Sequence, residues 1–221
     1  MSSCPIFILY LGQLSIKYLM QSIHNQIEQL IINKGRGKLI FPADFQHIGT
    51  VENVKKVLLR LEQRKMLIRI AHGIYLYPKQ DKELGILYPS VEEIAKAIAK
   101  RDKARIIPTG VQALNKLGLS TQVPLKVVFL TDGAPRTVQI GKRTIKFKKT
   151  TPKNLLVKGE ITGLIIQALR EIGKENVTNE QFDKLKNLLK KESKTILEHD
   201  ARLAPSWIAK IILLESHKIQ Q

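Results

Sequence analysis

The sequence contains very little cysteine and no long apolar run. Cys4 is the only cysteine among its 221 residues, which excludes an intrachain disulfide framework and a cysteine-cluster zinc site. This scarcity fits a reducing compartment, so we predict a cytoplasmic protein. No apolar run approaches the ~18–20 residues that a transmembrane helix needs, and we therefore expect no membrane-spanning segment.

The chain opens with an apolar leader, residues 1–19, that contains the run PIFILYL. A secretory signal peptide has basic residues before such a run and a small-x-small cleavage pattern after it, and this segment has neither. A second interpretation is that the start is non-native or over-extended and that Met20 is the functional initiator. The leader therefore carries no weight in the fold prediction.

The sequence also lacks the motifs of common nucleotide-binding and hydrolytic enzymes: no Walker loop, GxGxxG, HExxH or GxSxG is present. Its five histidines are scattered without the spacing of metal ligands. Glu198-His199-Asp200 invites an acid–base interpretation, but adjacent helical residues point to different faces. Asp132 is the only acid between Lys103 and Lys158, which argues against a nuclease carboxylate cluster there. We predict a protein with no enzymatic activity, catalytic residues, metal or cofactor.

Positive charge is abundant and unevenly distributed. The chain has 37 Lys and Arg against 19 Asp and Glu, a net charge of +18. Residues 1–80 carry 11 basic and 4 acidic side chains, a net charge of +7, and residues 136–158 carry 8 basic and none acidic. Such an excess indicates a polyanionic partner, with nucleic acid first and an anionic membrane surface second. Because the cations are concentrated in two separate segments that can each bind a stretch of nucleic-acid backbone, we expect nucleic acid and no membrane partner.

Residues 20–80 show the element order of a winged helix-turn-helix. Apolar periodicity, Thr50 as a helix N-cap and the tight turn at His72-Gly73 support this order. In such domains the third helix enters the major groove and the hairpin, or wing, lies along the DNA backbone. The predicted elements are a helix over 21–33, a short strand over 38–41, a brief helix opened by Pro42, a helix over 51–65 and a hairpin of strands 67–71 and 74–78.

Opposite its apolar stripe, the 51–65 helix carries Lys56, Arg60 and Gln63, with Glu52 beside them and Asn53 and Arg64 at the margin. Lysine and arginine suit phosphates and guanine edges, and asparagine and glutamine suit adenine. Leu59 also points outward, which a purely solvated helix does not explain, and contact with the other domain or with a second subunit would explain it. Winged helices also serve as protein-binding modules, and that alternative stays open. The candidate DNA ligands are Thr50, Asn53, Lys55, Lys56, Arg60, Gln63 and Arg64 on the helix and Arg69, His72 and Lys79 on or beside the wing.

Residues 84–221 predict a mixed α/β domain that ends in helices, which makes the whole chain α+β. Its start, 84–89, is typical of a linker or a strand-like crossover. Strands over 126–131, 136–140 and 144–149 place the basic segment on a hairpin, where Lys146 and Lys148 share one face. A solvated lysine-rich hairpin and an acidic partner protein are the alternatives to nucleic acid. The candidate ligands on this segment are Arg136, Lys142, Arg143, Lys146, Lys148 and Lys149.

The segment Arg69-Ile70-Ala71-His72-Gly73-Ile74-Tyr75 resembles the R-x-x-x-G-[IV]-Y wing of AbiEi-type antitoxins, and the resemblance extends over residues 20–150. It implies a component of a bacterial type IV toxin–antitoxin, or abortive-infection, system of phage defence. The first domain would then repress the shared operon by binding repeats in its promoter, and residues 84–158 would counter a nucleotidyltransferase-like toxin. The downstream part of the resemblance consists of a helix ending near Arg101, Gly110 to Ala113, Leu117-Gly118-Leu119, Pro124, Leu130-Thr131, Gly133, Arg136 and Ile140-Gly141.

We therefore expect a DNA-binding transcriptional autorepressor that is also the antitoxin of an AbiE-like pair. The partners are then double-stranded DNA and a nucleotidyltransferase toxin, contacted directly or opposed functionally. The alternative is a neutraliser that binds nucleic acid or protein through the basic second domain without specific operator recognition. Symmetric repeats bind either a dimer or repeated monomers, and the sequence leaves the oligomeric state open.

Overall fold

The computed structural model describes residues 22–122, 124 and 126–218, and these form an α+β fold. The chain divides into two compact units between Ser90 and Val91. The leader predicted over 1–19 lies outside the described residues. No helix in the described part of the chain is long and apolar enough to cross a membrane.

The first unit is a winged helix-turn-helix, as the sequence predicted. Strand β3 lies between β1 and β2 and is antiparallel to both, while β4 and β5 form a separate antiparallel hairpin. The elements of this unit are α1 (Ile23–Lys34), β1 (Leu39–Ile40), a 3₁₀ helix (Pro42–Phe45), α2 (Val51–Gln63), β2 (Ile68–Ala71), β3 (Ile74–Leu76), β4 (Lys79–Asp81) and β5 (Gly85–Leu87).

Helix α2 begins at its predicted cap and packs one apolar stripe on the core. The Thr50 hydroxyl accepts a hydrogen bond from the Asn53 backbone N–H at 3.3 Å, which satisfies one of the free amides of the first turn. The helix ends at Gln63, two residues earlier than predicted, and Lys65 adopts a left-handed backbone with φ of 59°. The core that fixes its orientation includes Ile27, Ile31, Phe45, Val54, Val57, Leu58 and Leu61.

The hairpin of β4 and β5 corrects the prediction of a linker or crossover at 84–89. The Asp81 carboxylate accepts the backbone N–H groups of Glu83 at 2.9 Å and Leu84 at 3.0 Å, and these bonds lower the pKa of Asp81. Gly85 takes a φ of +72°, a conformation that glycine adopts without strain. The turn is therefore stabilised by the Asp81 side chain. The two strands that it joins are too short and too polar to show the apolar alternation that predicts a strand. The sequence-based boundary at 80–84 falls within this hairpin, which belongs to the first unit.

The second unit combines a four-stranded sheet with a helical bundle. The strand order is β6-β7-β9-β8, with β7 and β9 parallel and the other neighbours antiparallel. The predicted strands at 126–131 and 136–140 are confirmed, and the third begins one residue early. The elements are α3 (Val91–Arg101), β6 (Ile106–Pro108), α4 (Gly110–Lys116), β7 (Lys126–Thr131), β8 (Arg136–Ile140), β9 (Arg143–Lys149), 3₁₀ helices at Pro152–Leu155 and Lys174–Asn176, α5 (Glu160–Ile172), α6 (Asn179–Leu189), α7 (Lys194–Ala201) and α8 (Ser206–Lys218).

Two carboxylates from later segments cap the N-terminus of α5. Asp200, which is fully buried, accepts the backbone N–H groups of Lys158 at 2.9 Å and Gly159 at 2.8 Å. Glu192 accepts the N–H of Ile161 at 2.9 Å. The amides that a helix leaves free at its start are therefore paired with negative charge, which the helix dipole favours. The capped helix packs into an apolar core with α6, α7 and α8.

Candidate nucleic-acid interface

The outward face of α2 presents the polar residues that the sequence singled out. Asn53, Lys56, Arg60 and Gln63 are all exposed, while the apolar stripe of the same helix is buried. Thr50 and Lys55 are exposed as well. Lys56 and Arg60 lie one helical turn apart, and neither forms a side-chain hydrogen bond or ion pair within the described residues. Both cations are therefore available to an external anion.

Arg64 is exposed but is directed toward α1. Its Nη1 lies 3.2 Å from His24 Nε2, and the same imidazole nitrogen lies 3.5 Å from Glu28. The guanidinium thus takes part in a link between the end of α2 and α1. Of the predicted helix ligands, Arg64 stands apart from the face that carries Lys56 and Arg60.

The wing brings Arg69 and His72 together. Arg69 Nη2 lies 3.2 Å from His72 Nδ1, and both side chains are exposed. Gly73 lies in the turn between β2 and β3 and takes a φ of +67°. The predicted tight turn requires a positive φ of this kind. Lys79, also exposed, lies at the start of β4. The wing therefore carries the Arg69 guanidinium beside an exposed imidazole.

A cavity of about 520 Å³ lies beside the wing. Its lining includes the predicted ligand Arg69 and three charged residues that the sequence did not single out, Arg36, Glu62 and Lys65. The Arg36 guanidinium stacks 5.0 Å from the Tyr77 ring and donates to a backbone carbonyl. Glu62 Oε2 is buried and has no hydrogen-bond partner among the described residues. Arg36 lies between two glycines, at the opposite end of the domain sequence from the wing, so no local pattern connects it with the wing.

Burial raises the pKa of Tyr75 in the same region. The positive charge of Arg69 works against this shift, and the negative charge of Glu62 adds to it. The phenol therefore stays neutral, and the charge of this surface comes from the cations around it.

A second basic surface occupies one face of the sheet in the second unit. Lys146 and Lys148 are exposed while Ile145 and Phe147 are buried, as the alternation predicted. Because β7 runs parallel to β9 with Lys126 opposite Thr144, exposed Lys126 lies on the same face as the two lysines. We call these three residues the lysine face. The sequence did not place Lys126 on this face, because β7 pairs with β9 and not with β8, the next strand in the chain.

Three further predicted ligands are exposed around the lysine face. Lys142 lies in the β8–β9 turn, Arg143 begins β9 and Lys149 ends it. By alternation along β9, Arg143 and Lys149 both fall in the alternate set with Ile145 and Phe147. The turn therefore adds two cations at one end of the hairpin.

Arg136 lies on the opposite face of the hairpin. Its register partner is Phe147, whose ring centre is 5.5 Å from the guanidinium, and it forms an ion pair with Asp102. Burial, and secondarily the charge of Arg101, lower the pKa of Arg136. The structure thus does not bring Arg136 together with the lysines, and its contacts hold the hairpin to the end of α3.

The acidic and imidazole groups weighed for catalysis have structural partners. Asp132 accepts the Arg105 backbone N–H at 2.7 Å and its Nε–H at 2.8 Å, and these bonds lower the pKa of Asp132. His199 Nδ1 lies 2.7 Å from the buried Asp200 carboxylate, which also caps α5. Within residues 22–122, 124 and 126–218, no group of three or more His, Cys, Asp or Glu side chains is placed to hold a metal ion.

Comparison with known families places most of the chain in one of them. Residues 26–197 match the model of DUF6088, a family of unknown function, and the chain therefore belongs to this family. The match spans α2, the wing and the basic sheet. Comparison with curated proteins gives no match.

Proposed function

We propose that this protein is a transcriptional regulator that binds duplex DNA through α2 and the wing. The observation that carries the proposal is the outward face of α2, where Lys56 and Arg60 are exposed and unpaired within the described residues, with the amides of Asn53 and Gln63 beside them. A helix of this kind fits the major groove, where cations bind phosphates or guanine edges and amides bind adenine.

The wing supplies a second point of attachment in this proposal. Arg69 and His72 lie 3.2 Å apart at its tip, where a winged helix contacts the phosphate backbone or the adjacent groove. Lys79 adds a cation beside it. Contacts of this kind fix the register of α2 on the duplex without reading bases, whereas the α2 face provides specificity.

A mobility-shift experiment on the gene's own upstream region tests the proposal. We expect a preference of at least 10³-fold over a shuffled duplex of equal length and composition, the lower end of the range for specific DNA-binding proteins. Equal affinity for both duplexes at every salt concentration would contradict it.

The resemblance to AbiEi-type antitoxins supports a narrower form of the proposal, in which the protein represses its own operon and neutralises a nucleotidyltransferase toxin. Full-length protein co-expressed with the product of the adjacent gene tests this form. If the two roles are separable, Lys56→Ala with Arg60→Ala abolishes repression of a promoter reporter and leaves protection of growth intact. Growth arrest that the wild-type protein does not relieve would contradict the antitoxin role.

The lysine face favours a second candidate function, a neutraliser that binds nucleic acid through the second unit without operator recognition. Lys126, Lys146 and Lys148 converge on one exposed sheet face, and each phosphate that such cations neutralise steepens the salt dependence of binding. No aromatic ring stands at the register positions of this face, so backbone contact is favoured over base stacking.

Replacing Lys146 and Lys148 by glutamine is expected to lower the log–log salt slope for a random-sequence duplex by about two, since each lost phosphate contact contributes ~0.9. Fluorescence anisotropy at four or more salt concentrations measures the slope. Arg136→Gln is the matched control on the other face of the same hairpin, and it should leave the slope unchanged while lowering thermal stability. A double variant with the wild-type slope would remove the lysine face from nucleic-acid binding.

A further inference from the structure

Leu59 is an apolar side chain at the centre of an otherwise hydrophilic helix face. Leu59 is 46% exposed, whereas four other apolar residues of α2 are buried on the opposite side. Val51, the first residue of the helix, is also exposed. The helical neighbours three and four positions away are Lys55, Lys56, Glu62 and Gln63. At ~100° per residue, Leu59 and Gln63 point almost directly away from the buried stripe. The residue thus lies on the outward part of α2, together with Glu52, Lys56 and Gln63.

A large apolar side chain gains nothing from this position in water. A glutamine or lysine would keep the helix propensity and lie better in solvent. In the major groove the situation differs, because the C5-methyl group of thymine is the apolar group that base edges present there. A leucine cannot donate or accept a hydrogen bond, so its discrimination among bases comes from contact with that methyl group.

We propose that Leu59 is a specificity-determining residue that contacts the C5-methyl group of a thymine in the operator. The inference rests on the proposed function, because it requires α2 to lie in the major groove. The surrounding residues define the geometry: Lys56 lies one turn before the leucine and Gln63 one turn after it, while Arg60 lies beside Lys56 on one side of the leucine. The bound half-site therefore contains a thymine whose methyl group, rather than its hydrogen-bonding edge, is read.

The experiment removes that methyl group alone. In a series of duplexes of the bound promoter segment, each thymine is replaced in turn by deoxyuridine, and full-length protein is titrated by fluorescence anisotropy. We expect wild-type affinity to fall about fourfold at one thymine per bound winged helix, the fold-change that corresponds to burial of one methylene-sized group. Duplexes with cytosine and with 5-methylcytosine at that position test whether Leu59 contacts a methyl group on cytosine as it does the methyl group of thymine.

Two variants assign the effect to Leu59. Leu59→Ala should bind the thymine and deoxyuridine duplexes equally at that position, and an exposed alanine preserves the helix, which circular dichroism confirms. Leu84→Ala is the matched control, since Leu84 is 78% exposed in the turn between β4 and β5, and it should retain the fourfold effect.

Several results would overturn the inference, and they are distinguishable from failure of the proposed function. Specific promoter binding that is insensitive to every deoxyuridine, or a methyl effect that persists in Leu59→Ala, refutes the role of Leu59 and leaves the regulator intact. If the wild-type protein sediments as a dimer and Leu59→Ala sediments as a monomer, the leucine contacts a second subunit instead of DNA. Absence of any preference for the promoter duplex refutes both proposals.

Discussion

Replacing Lys56 and Arg60 together by alanine is expected to weaken binding to the promoter duplex by about two orders of magnitude or more. Each cation that contacts a guanine edge contributes ~1–3 kcal/mol to discrimination, and each that contacts a phosphate adds to affinity at every sequence. Both side chains are exposed on α2 and unpaired within the described residues. Their removal therefore leaves no buried group unsatisfied, and the loss comes from DNA contacts.

Salt dependence separates the two kinds of contact. If both cations bind phosphates, the log–log slope of affinity against salt falls by about two. If they bind guanine edges, the slope changes less and discrimination against a shuffled duplex falls instead. Affinities for both duplexes across a salt series distinguish these cases.

The matched control removes two cations elsewhere. Lys190 and Lys191 follow α6 and are both exposed, so their replacement by alanine lowers the net charge by the same amount. Promoter affinity of this control should stay within about threefold of the wild type. Equal losses in the two double variants would show that net charge, rather than the α2 face, attracts DNA. Unchanged affinity in the α2 variant would refute its role as recognition helix.

The winged helix was predictable because its signals are local. Thr50 caps α2 by accepting a hydrogen bond from the backbone N–H of Asn53, only three residues away. The wing turns at Gly73, since glycine adopts the positive φ of this turn without strain. The apolar stripe of α2 repeats at helical spacing, so its exposed face follows from its buried one. Each of these features depends on residues within one or two turns of chain. The sequence therefore predicted which polar side chains of α2 and the wing are exposed.

The rest depends on register and on partners distant in sequence. Alternation assigned Lys146 and Lys148 to one face, but only the pairing of β8 with β9 shows that Arg136 lies opposite Phe147 on the other. Lys126 joins the lysine face through a parallel pairing that skips one strand. No local spacing records these pairings. The same holds for Arg36, which reaches the wing region through a contact with Pro78, 42 residues away.

Replacing Asp200 by asparagine is expected to lower the free energy of unfolding of the second unit by about 2–4 kcal/mol, since hydrogen bonds to charged groups contribute ~1.5–3 kcal/mol each. The wild-type carboxylate is fully buried and accepts the N–H groups of Lys158 and Gly159, one on each oxygen. Asparagine has the same shape but a single acceptor oxygen, so its amide N–H groups face a backbone donor. One amide at the start of α5 is then left without an acceptor.

Urea unfolding followed by fluorescence measures this loss in the second unit alone, because Trp207 is the only tryptophan in the chain and lies in α8. The matched control is Asp183→Asn. The Asp183 side chain is 71% exposed and pairs with Lys186 at 3.2 Å on the helix surface, a contact of ~0–1 kcal/mol. We expect a lower midpoint for Asp200→Asn at an unchanged slope and a nearly wild-type midpoint for the control. Equal midpoints in the two variants would show that the start of α5 does not depend on the buried carboxylate.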